Sequence, residues 1–400
     1  MRVSIISCFD DLMQKDAGAS IRILNLARNL ALFGHKVRIV VPAIDPNVKR
    51  LDGVIISGVD GVSPRSLLSV LSKLLGVSRP LSFLFYDIAF VLRINKIVRE
   101  SDLIQIEQPW AAGFLPYFIK AIMKKHLVID SHDVFQSLRI RRSFLRRATE
   151  TFLEKMAYKC ADRILVVSEK ERRILEYLGI KRKRISVVPN GVDTEVFAPS
   201  SEHKPSLKRI REHYDLENSY TIVFVGNMGY PPNQEAVSVI AAKLCPLVRK
   251  EIHNVKFLIV GRAPPALRHY SHKHTPRAVL IFTGIVKEVA DFLTASDVAI
   301  APLFHGSGSR LKVIEYFSCG LPVVSTTVGI EGLEVKHGEH LLIEDKMDVF
   351  AAKIVELVEN KSLAKELGRR ARELVVKKYD WQKITGQLVE AYSLLLETPV

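Results

Sequence analysis

Short apolar runs alternate with longer amphipathic stretches along almost the whole chain. In the first half the runs at 3–8, 36–41, 103–106, 127–129, 163–167 and 185–188 read as strands. In the second half they fall at 221–225, 256–260, 280–283, 298–301, 322–325 and 341–343. Most are apolar throughout rather than alternating, which is the pattern of parallel strands covered by helices on both faces. The stretch between the first two strands carries Ile23, Leu26, Ala27 and Leu30 at helical spacing. Ser20 is positioned as an N-cap there and Gly34 as a stop. Residues 198–218 are polar, with Pro199 and Pro205, and predict a linker plus a polar helix. The tail from Tyr379 predicts a helix through Trp381, Ile384, Leu388 and Leu395. The most apolar long stretch, 81–98, contains Asp87, Arg93, Asn95 and Lys96, so it predicts a helix of the first half and not a membrane span. The apolar run at 3–8 is too short for a signal peptide.

Composition adds two points. Four hundred residues with 48% hydrophobic and 25% charged side chains are enough for two domains with full cores. The four cysteines, Cys8, Cys160, Cys245 and Cys319, lie far apart without metal-ligand spacing. They read as free thiols in a reducing, cytoplasmic setting.

Charge is less ordinary. The formal net charge is +15, and residues 124–184 hold 17 Lys/Arg against 8 Asp/Glu. Arg139, Arg142 and Arg146 fall on one helical face beside Phe144 and Leu145. A basic, partly apolar face suits anionic phospholipid or a lipid-linked phosphate, and hence peripheral contact with the inner face of a cell membrane. A solvated basic surface has the same pattern. Nucleic acid would fit the charge, but no helix-turn-helix, zinc or RNP signature accompanies it, so no nucleic-acid partner is expected.

The densest chemistry lies at 305–315, His-Gly-Ser-Gly-Ser-Arg-Leu-Lys-Val-Ile-Glu. A Gly/Ser loop opening a helix offers backbone N–H groups and a helix N-terminus, here with Arg310 and Lys312 alongside, and this suits phosphate. Lys312 and Glu315 share a helical face, so one side chain can hold phosphate while the other accepts from hydroxyls such as those of a ribose. An exposed Lys/Glu pair on a solvated helix has the same spacing. Gly306-Ser-Gly-Ser-Arg-Leu lacks the third glycine of a dinucleotide fingerprint, and no Walker-type loop is present, which disfavours hydride transfer and ATP hydrolysis. The histidines at 269, 272 and 274 lack carboxylate or cysteine partners and read as a solvated loop. His337-Gly-Glu-His340 reads as a turn before a strand.

A second segment, Arg184-Ile-Ser-Val-Val-Pro-Asn-Gly-Val-Asp-Thr-Glu-Val-Phe, and the block from Arg310 to Leu333 occur together with further matches. These are Ala161-Asp-Arg-Ile-Leu-Val-Val-Ser, Phe224-Val-Gly-Asn, Phe257-Leu-Ile-Val-Gly-Arg and Ala295-Ser-Asp-Val-Ala-Ile-Ala-Pro. In this order the segments resemble a retaining glycosyltransferase of the GT-B fold, in glycosyltransferase family 4. The resemblance implies an α/β protein of two Rossmann-like parallel-sheet domains facing across a cleft. They would span 1–196, with a C-terminal helix at 379–400 packing back on it, and 197–378, the donor domain. It further implies a nucleotide-sugar donor, a glycan or lipid-linked acceptor, and neither a metal nor another cofactor.

The resemblance also assigns residues. Glu315 takes the donor ribose. Ser307 stands where the family has the first Glu of an E-x7-E motif, a departure that leaves part of that role to the Gly308 and Ser309 backbone. The region 226–235 lacks the Arg and Lys that many members carry there, so the diphosphate falls to Arg310, Lys312 and the helix N-terminus. His132, in a loop after a buried strand, is expected near the donor sugar, with Asp133 orienting it or capping a helix. Gly18 matches the glycine-rich first loop, which faces phosphates and acceptor, and a plain N-cap turn has the same pattern. Apart from the resemblance, Glu107 ends another strand, a position from which it could line the acceptor pocket. Asn227, Gly261, Arg262 and Gly284 lie on loops around the donor. Two other readings remain: a sugar-nucleotide epimerase or phosphorylase on the same fold, and a non-catalytic sugar-nucleotide-binding subunit.

Overall fold

The structure, a computed structural model, describes residues 1–7, 18–43, 48–60, 92–107, 109, 115–134, 144–199, 205–306 and 310–397. The chain divides into two units, Met1–Pro189 with Ile384–Val400, and Asn190–Lys383.

The described strands of the first unit are β1 (Arg2–Ile6), β2 (Lys36–Ala43), β3 (Val48–Leu51), β4 (Val54–Asp60), β5 (Leu103–Glu107), β6 (His126–Ser131), β7 (Arg163–Val166) and β8 (Ile185–Val187). They form one sheet in the order β3-β4-β2-β1-β5-β6-β7-β8. All neighbours are parallel except β3 and β4. Neither of those two was expected from the apolar runs. They form a hairpin through Asp52 and Gly53, at φ 48° and 81°. Two positive φ angles in succession suit the twist of a tight hairpin, and Asp-Gly is the sequence that tolerates them.

Helix α1 (Gly18–Leu32) follows β1 and buries Ile23, Leu26, Ala27 and Leu30 against the sheet. Burying the three larger of these contributes about 1.5–3 kcal/mol each. Ser20 lies inside the helix and is buried, so it is not the N-cap the sequence suggested. Gly34, at φ 83°, ends the helix as expected. A helix over 92–100 buries Ile94 and Val98; the rest of the predicted 81–98 helix falls outside the described residues.

The second unit's described strands are β9 (Tyr220–Val225), β10 (Val255–Val260), β11 (Leu280–Gly284), β12 (Val298–Ala301), β13 (Val323–Ser325) and β14 (Leu342–Ile343). They pair parallel throughout, in the order β11-β10-β9-β12-β13-β14. Alternate residues feed two cores. Phe224, Phe257 and Ile300 pack on one face, and Val223, Leu258 and Ala299 on the other. Helices α2 (Pro231–Val239) and α3 (Leu311–Ser318) follow β9 and β12. The histidine-rich segment is helical, Pro265–His274, and not the loop expected. Pro264 and Pro265 start that helix without needing the N–H groups they lack. The last helix, α4 (Trp381–Leu396), belongs to the first unit from Ile384 onward, and its Tyr392 hydroxyl donates to Gln105 of β5. Among the described residues no helix is long and apolar enough to cross a membrane.

Both sheets share a consequence of their strand order. The chain builds outward from β1 on one side and then returns to β5 on the other; β9 and β12 do the same. The carboxyl ends of such strand pairs are topological switch points, where the flanking connections part and leave a crevice.

Candidate functional site

At the switch point of the second unit three strand ends are laced together by backbone bonds. Gly226 N donates to Val260 O at 2.9 Å, Met228 N to Arg262 O at 2.9 Å, and Gly261 N to Gly284 O at 3.0 Å. Gly261 sits at φ 125°, and a Cβ there would lie 2.1 Å from Gly226 O. Glycine is therefore required at this crossing, for conformation and for space. A Cβ on Gly226 would in turn lie 3.1 Å from Lys312 Nζ, so the amine rests directly on this backbone.

Helix α3 brings the charged groups. Its Tyr316 hydroxyl accepts from Val225 N at 2.8 Å, tying the helix to the end of β9. Lys312 Nζ donates to Asn233 Oδ1 at 2.7 Å and stands 4.1 Å from the Phe224 ring centroid. Both Lys312 and Glu315 keep some exposed surface, but their ionisable tips are enclosed. Burial lowers the Lys312 amine to about 7, helped by Arg310 and opposed by Glu315. Burial raises the Glu315 carboxyl to about 7, opposed by Lys312. The Glu315 carboxylate accepts no hydrogen bond among the described residues.

Arg310 precedes α3 and is 6% exposed. Its Nε donates to Val328 O at 3.0 Å, its Nη2 to Gly306 O at 3.1 Å, and Glu331 lies at 3.7 Å. The guanidinium thus braces the approach to the helix, and Lys312 is the cation with fewer protein partners. The Arg310 carbonyl takes Val313 N and Ile314 N, at 2.9 and 3.3 Å.

A separate polar cluster forms at the switch point of the first unit. Arg22 of α1 and Asp130 of β6 are both 0% exposed and joined by bonds of 2.9 and 3.1 Å. Glu107, the last residue of β5, is fully buried, and its Oε2 meets His132 Nε2 at 2.6 Å. Burial raises the Glu107 carboxyl, and the Asp130 charge adds to this, while bonds from His132 and Gln105 oppose it. Glu107, Asp130 and His132 place ligand atoms within 4.8 Å of one another, close enough for a metal ion. The positive charge there is instead the Arg22 guanidinium, which engages both Asp130 oxygens.

The expected site residues therefore fall into two groups. Asn227, Gly261, Arg262, Gly284, Arg310, Lys312 and Glu315 lie in the second unit at or beside the ends of β9–β12. Asn227 Oδ1 accepts from Gly229 N at 2.8 Å, and Arg262 is exposed. Gly18 and His132 lie in the first unit, Gly18 as the opening residue of α1. Ser307, Gly308 and Ser309 lie outside the described residues, as do Arg139 and Arg142. The Arg146 backbone is in the helix Phe144–Cys160. Two contributors were not singled out from sequence. Asn233 carries no signal beyond its place in the first turn after two prolines. Arg22 does carry one, since it interrupts the apolar face of α1 next to Ile23.

Comparison with known proteins agrees with this architecture. Residues 17–196 match the family model described as Glycosyltransferase Family 4, and residues 219–360 match Glycosyl transferases group 1. A Klebsiella pneumoniae protein described as an uncharacterized 44.6 kDa protein in the cps region is 28% identical over 48% of this chain and half of its own length. An Escherichia coli UDP-Gal:alpha-D-GlcNAc-diphosphoundecaprenol alpha-1,3-galactosyltransferase is 26% identical over 60% of this chain and 62% of its own. The sucrose-phosphate synthase of Thermosynechococcus elongatus superposes with a TM-score of 0.78 at 18% identity, covering 99% of this chain and all of that one. With an α/β sheet in each unit and both halves matched by the family models, the chain belongs to the group 1, family 4 glycosyltransferases.

Proposed function

We propose that this protein transfers a sugar from a nucleoside-diphosphate sugar to a hydroxyl of a glycan or lipid-linked acceptor, with retention of configuration and without a metal ion. The observation that carries the reading is the Lys312–Glu315 pair on α3, at the carboxyl ends of β9 and β12. A cation and an unbonded carboxylate three residues apart match the diphosphate and the ribose hydroxyls of such a donor. Asn227, Gly261, Arg262 and Gly284 are assigned to the nucleoside side of the donor. Gly18, Ser307, Gly308 and Ser309 are assigned to its phosphates and sugar. His132 is assigned to the transferred sugar.

In this mechanism the C1–O bond to the diphosphate breaks. The developing charge is stabilised by Lys312, Arg310 and the N-terminus of α3, groups that are already in position before the reaction. The acceptor hydroxyl attacks C1 on the face the diphosphate leaves, and its proton passes to a diphosphate oxygen. The lipid-linked substrate in the E. coli relative's name supports an acceptor of that class. The basic stretch at 124–184 supports peripheral contact with an anionic membrane on the cytoplasmic side.

The test supplies UDP-, GDP-, ADP- and dTDP-sugars with and without a lipid-diphosphate sugar acceptor, in EDTA. Acceptor-dependent release of nucleoside diphosphate, and an anomeric product signal matching the donor's configuration, are expected. Loss of activity in EDTA that Mg2+ or Mn2+ restores would refute metal independence. A second reading is motivated by Ser307 in place of the first motif glutamate: a sugar-nucleotide-binding subunit, which would bind donor tightly and release nothing with any acceptor.

A further inference from the structure

Two neighbouring helices of the first unit present apolar and basic side chains to solvent, and neither presents an acid. A short helix, Leu115–Tyr117, continues as a π-helical turn, Phe118–Ile122. It packs against the helix Phe144–Cys160. Leu115 and Ile119 of the one and Ala157 and Tyr158 of the other enter the same core. Lys120 Nζ meets Asp162 Oδ1 at 2.6 Å, just past the end of the longer helix, so the two helices end side by side. With their inner sides fixed in this way, Tyr117, Ile122 and Phe152 face outward, at 50%, 61% and 61% exposure. Lys124, Lys155 and Lys159 are exposed as well. In the longer helix Phe152, Lys155 and Lys159 fall at i, i+3 and i+7, one stripe along its outer side.

The charge pattern selects the partner. The acids of the longer helix, Glu150 and Glu154, are 8% and 0% exposed and lie on its inner side. Glu154 accepts from the Tyr158 hydroxyl at 2.6 Å. Residues 115–125 contain no acid at all. Asp162 is taken up by Lys120 and by Leu127 N, the latter at 2.9 Å. Lys125 is occupied by the Arg99 and Ser101 carbonyls, both at 2.8 Å. Among the described residues Lys124, Lys155 and Lys159 form no ion pair, so their charges face water. Single exposed apolar residues are ordinary on any protein surface. Three of them interleaved with unpaired lysines fit a bilayer surface, where apolar groups sit among the headgroups and ammonium groups meet phosphate. A protein partner fits less well, because lysine is depleted where proteins meet each other.

We propose that this face docks the protein on an anionic bilayer, with Tyr117, Ile122 and Phe152 entering the headgroup layer and Lys124, Lys155 and Lys159 meeting lipid phosphates. It gives a location to the membrane contact proposed above and rests on that reading. The two sets of side chains make separable contributions. The lysine contribution falls as salt shortens the Debye length, whereas the apolar contribution persists.

The experiment is co-sedimentation with phosphatidylcholine vesicles, with and without phosphatidylglycerol, at low and at high salt. The wild type is expected to bind the anionic vesicles at least about tenfold better than the neutral ones at low salt. Lys124→Glu, Lys155→Glu and Lys159→Glu together should lower that binding by about a hundredfold at low salt and by little at high salt. Tyr117→Ser, Ile122→Ser and Phe152→Ser together should lower it by about tenfold at both. All six positions are exposed, so both triple variants should keep the wild-type melting temperature. Phe152→Trp should gain, over the wild type, an emission that shifts to the blue with anionic vesicles and is quenched by brominated lipid. An unshifted, unquenched emission would overturn the proposal even if a triple variant fails to fold. Binding by both triple variants within about threefold of the wild type would overturn this face while leaving membrane contact standing. A wild type that binds neither vesicle would overturn both. Transfer to a water-soluble acceptor should be the same in all three proteins, and its absence from the wild type would count against sugar transfer alone.

Discussion

Binding of a nucleoside diphosphate to this protein is predicted to take up a proton at Lys312. The amine is lowered to about 7 because it is enclosed beside the Gly226 backbone, with Arg310 nearby and Asn233 Oδ1 its hydrogen-bond partner. At about pH 8 roughly nine in ten copies of a group with that value are neutral. A diphosphate at hydrogen-bond distance brings negative charge to the amine and favours the ammonium. Binding at that pH should then absorb about 0.8–0.9 proton per site, after allowing about 0.1 for Glu315, which ionises fully when hydroxyls bond to it. Affinity should weaken by about tenfold per pH unit above the amine's value. The assay is isothermal titration calorimetry with UDP, GDP, ADP and dTDP in two buffers of different ionisation enthalpy. The slope of observed enthalpy against buffer enthalpy gives the proton number. Lys312→Arg, which stays charged, is the control and should show almost no uptake. Tight binding without buffer dependence in the wild type would refute the reasoning, since the amine would then be charged before the ligand arrives or would not touch it.

Other outcomes follow from the same geometry. Glu315→Ala should lose about 2–4 kcal/mol of donor affinity with an unchanged melting temperature, checked by calorimetry. Tyr316→Phe removes the acceptor of the half-buried Val225 N–H and should cost about 1 kcal/mol of stability in urea denaturation. Gly261→Ala combines a positive φ with a 2.1 Å clash on Gly226 O and should cost at least about 2 kcal/mol in the same experiment. Without ligand, stability should fall as pH rises from 4.5 toward about 7, because folded Glu315 holds its proton longer than the unfolded chain does. It should then rise from about 7 toward 10.5, because folded Lys312 sheds its proton earlier, so thermal melts across that range should show a minimum near neutrality.

The strands of the second unit were legible because each is a short apolar run buried on both faces. The β3–β4 hairpin was not, since its outer strand, Val-Lys-Arg-Leu, lacks such a run. Asp52-Gly53 was the available signal, and an Asp-Gly pair identifies a hairpin only when the flanking strands are also recognised. The α3 segment stood out because a Gly/Ser loop runs into a helix carrying Arg310, Lys312 and Glu315, a pattern that a solvated Lys/Glu pair shares. Two features were not readable in principle. Arg310 is held by the Val328 and Gly306 carbonyls, and Lys312 by Asn233, 79 positions away in sequence. The Glu107–His132 contact joins two strand ends, and no periodicity reports which loops of a parallel sheet become neighbours. From the sequence Glu107 reads as a strand end lining the acceptor pocket, with no partner named for it. Its two occupied oxygens give it a place beside His132 that spacing alone could not suggest.

The central claim is that α3 holds the donor, with Lys312 on the diphosphate and Glu315 on the ribose. A crystal structure of the protein with a bound nucleoside diphosphate tests it most directly. The account predicts a phosphate oxygen about 3 Å from Lys312 Nζ and ribose hydroxyls at about 2.7 Å from the Glu315 carboxylate. A nucleotide bound away from both side chains, or a diphosphate bridged to the protein by a metal ion with Lys312 still on Asn233, would contradict it.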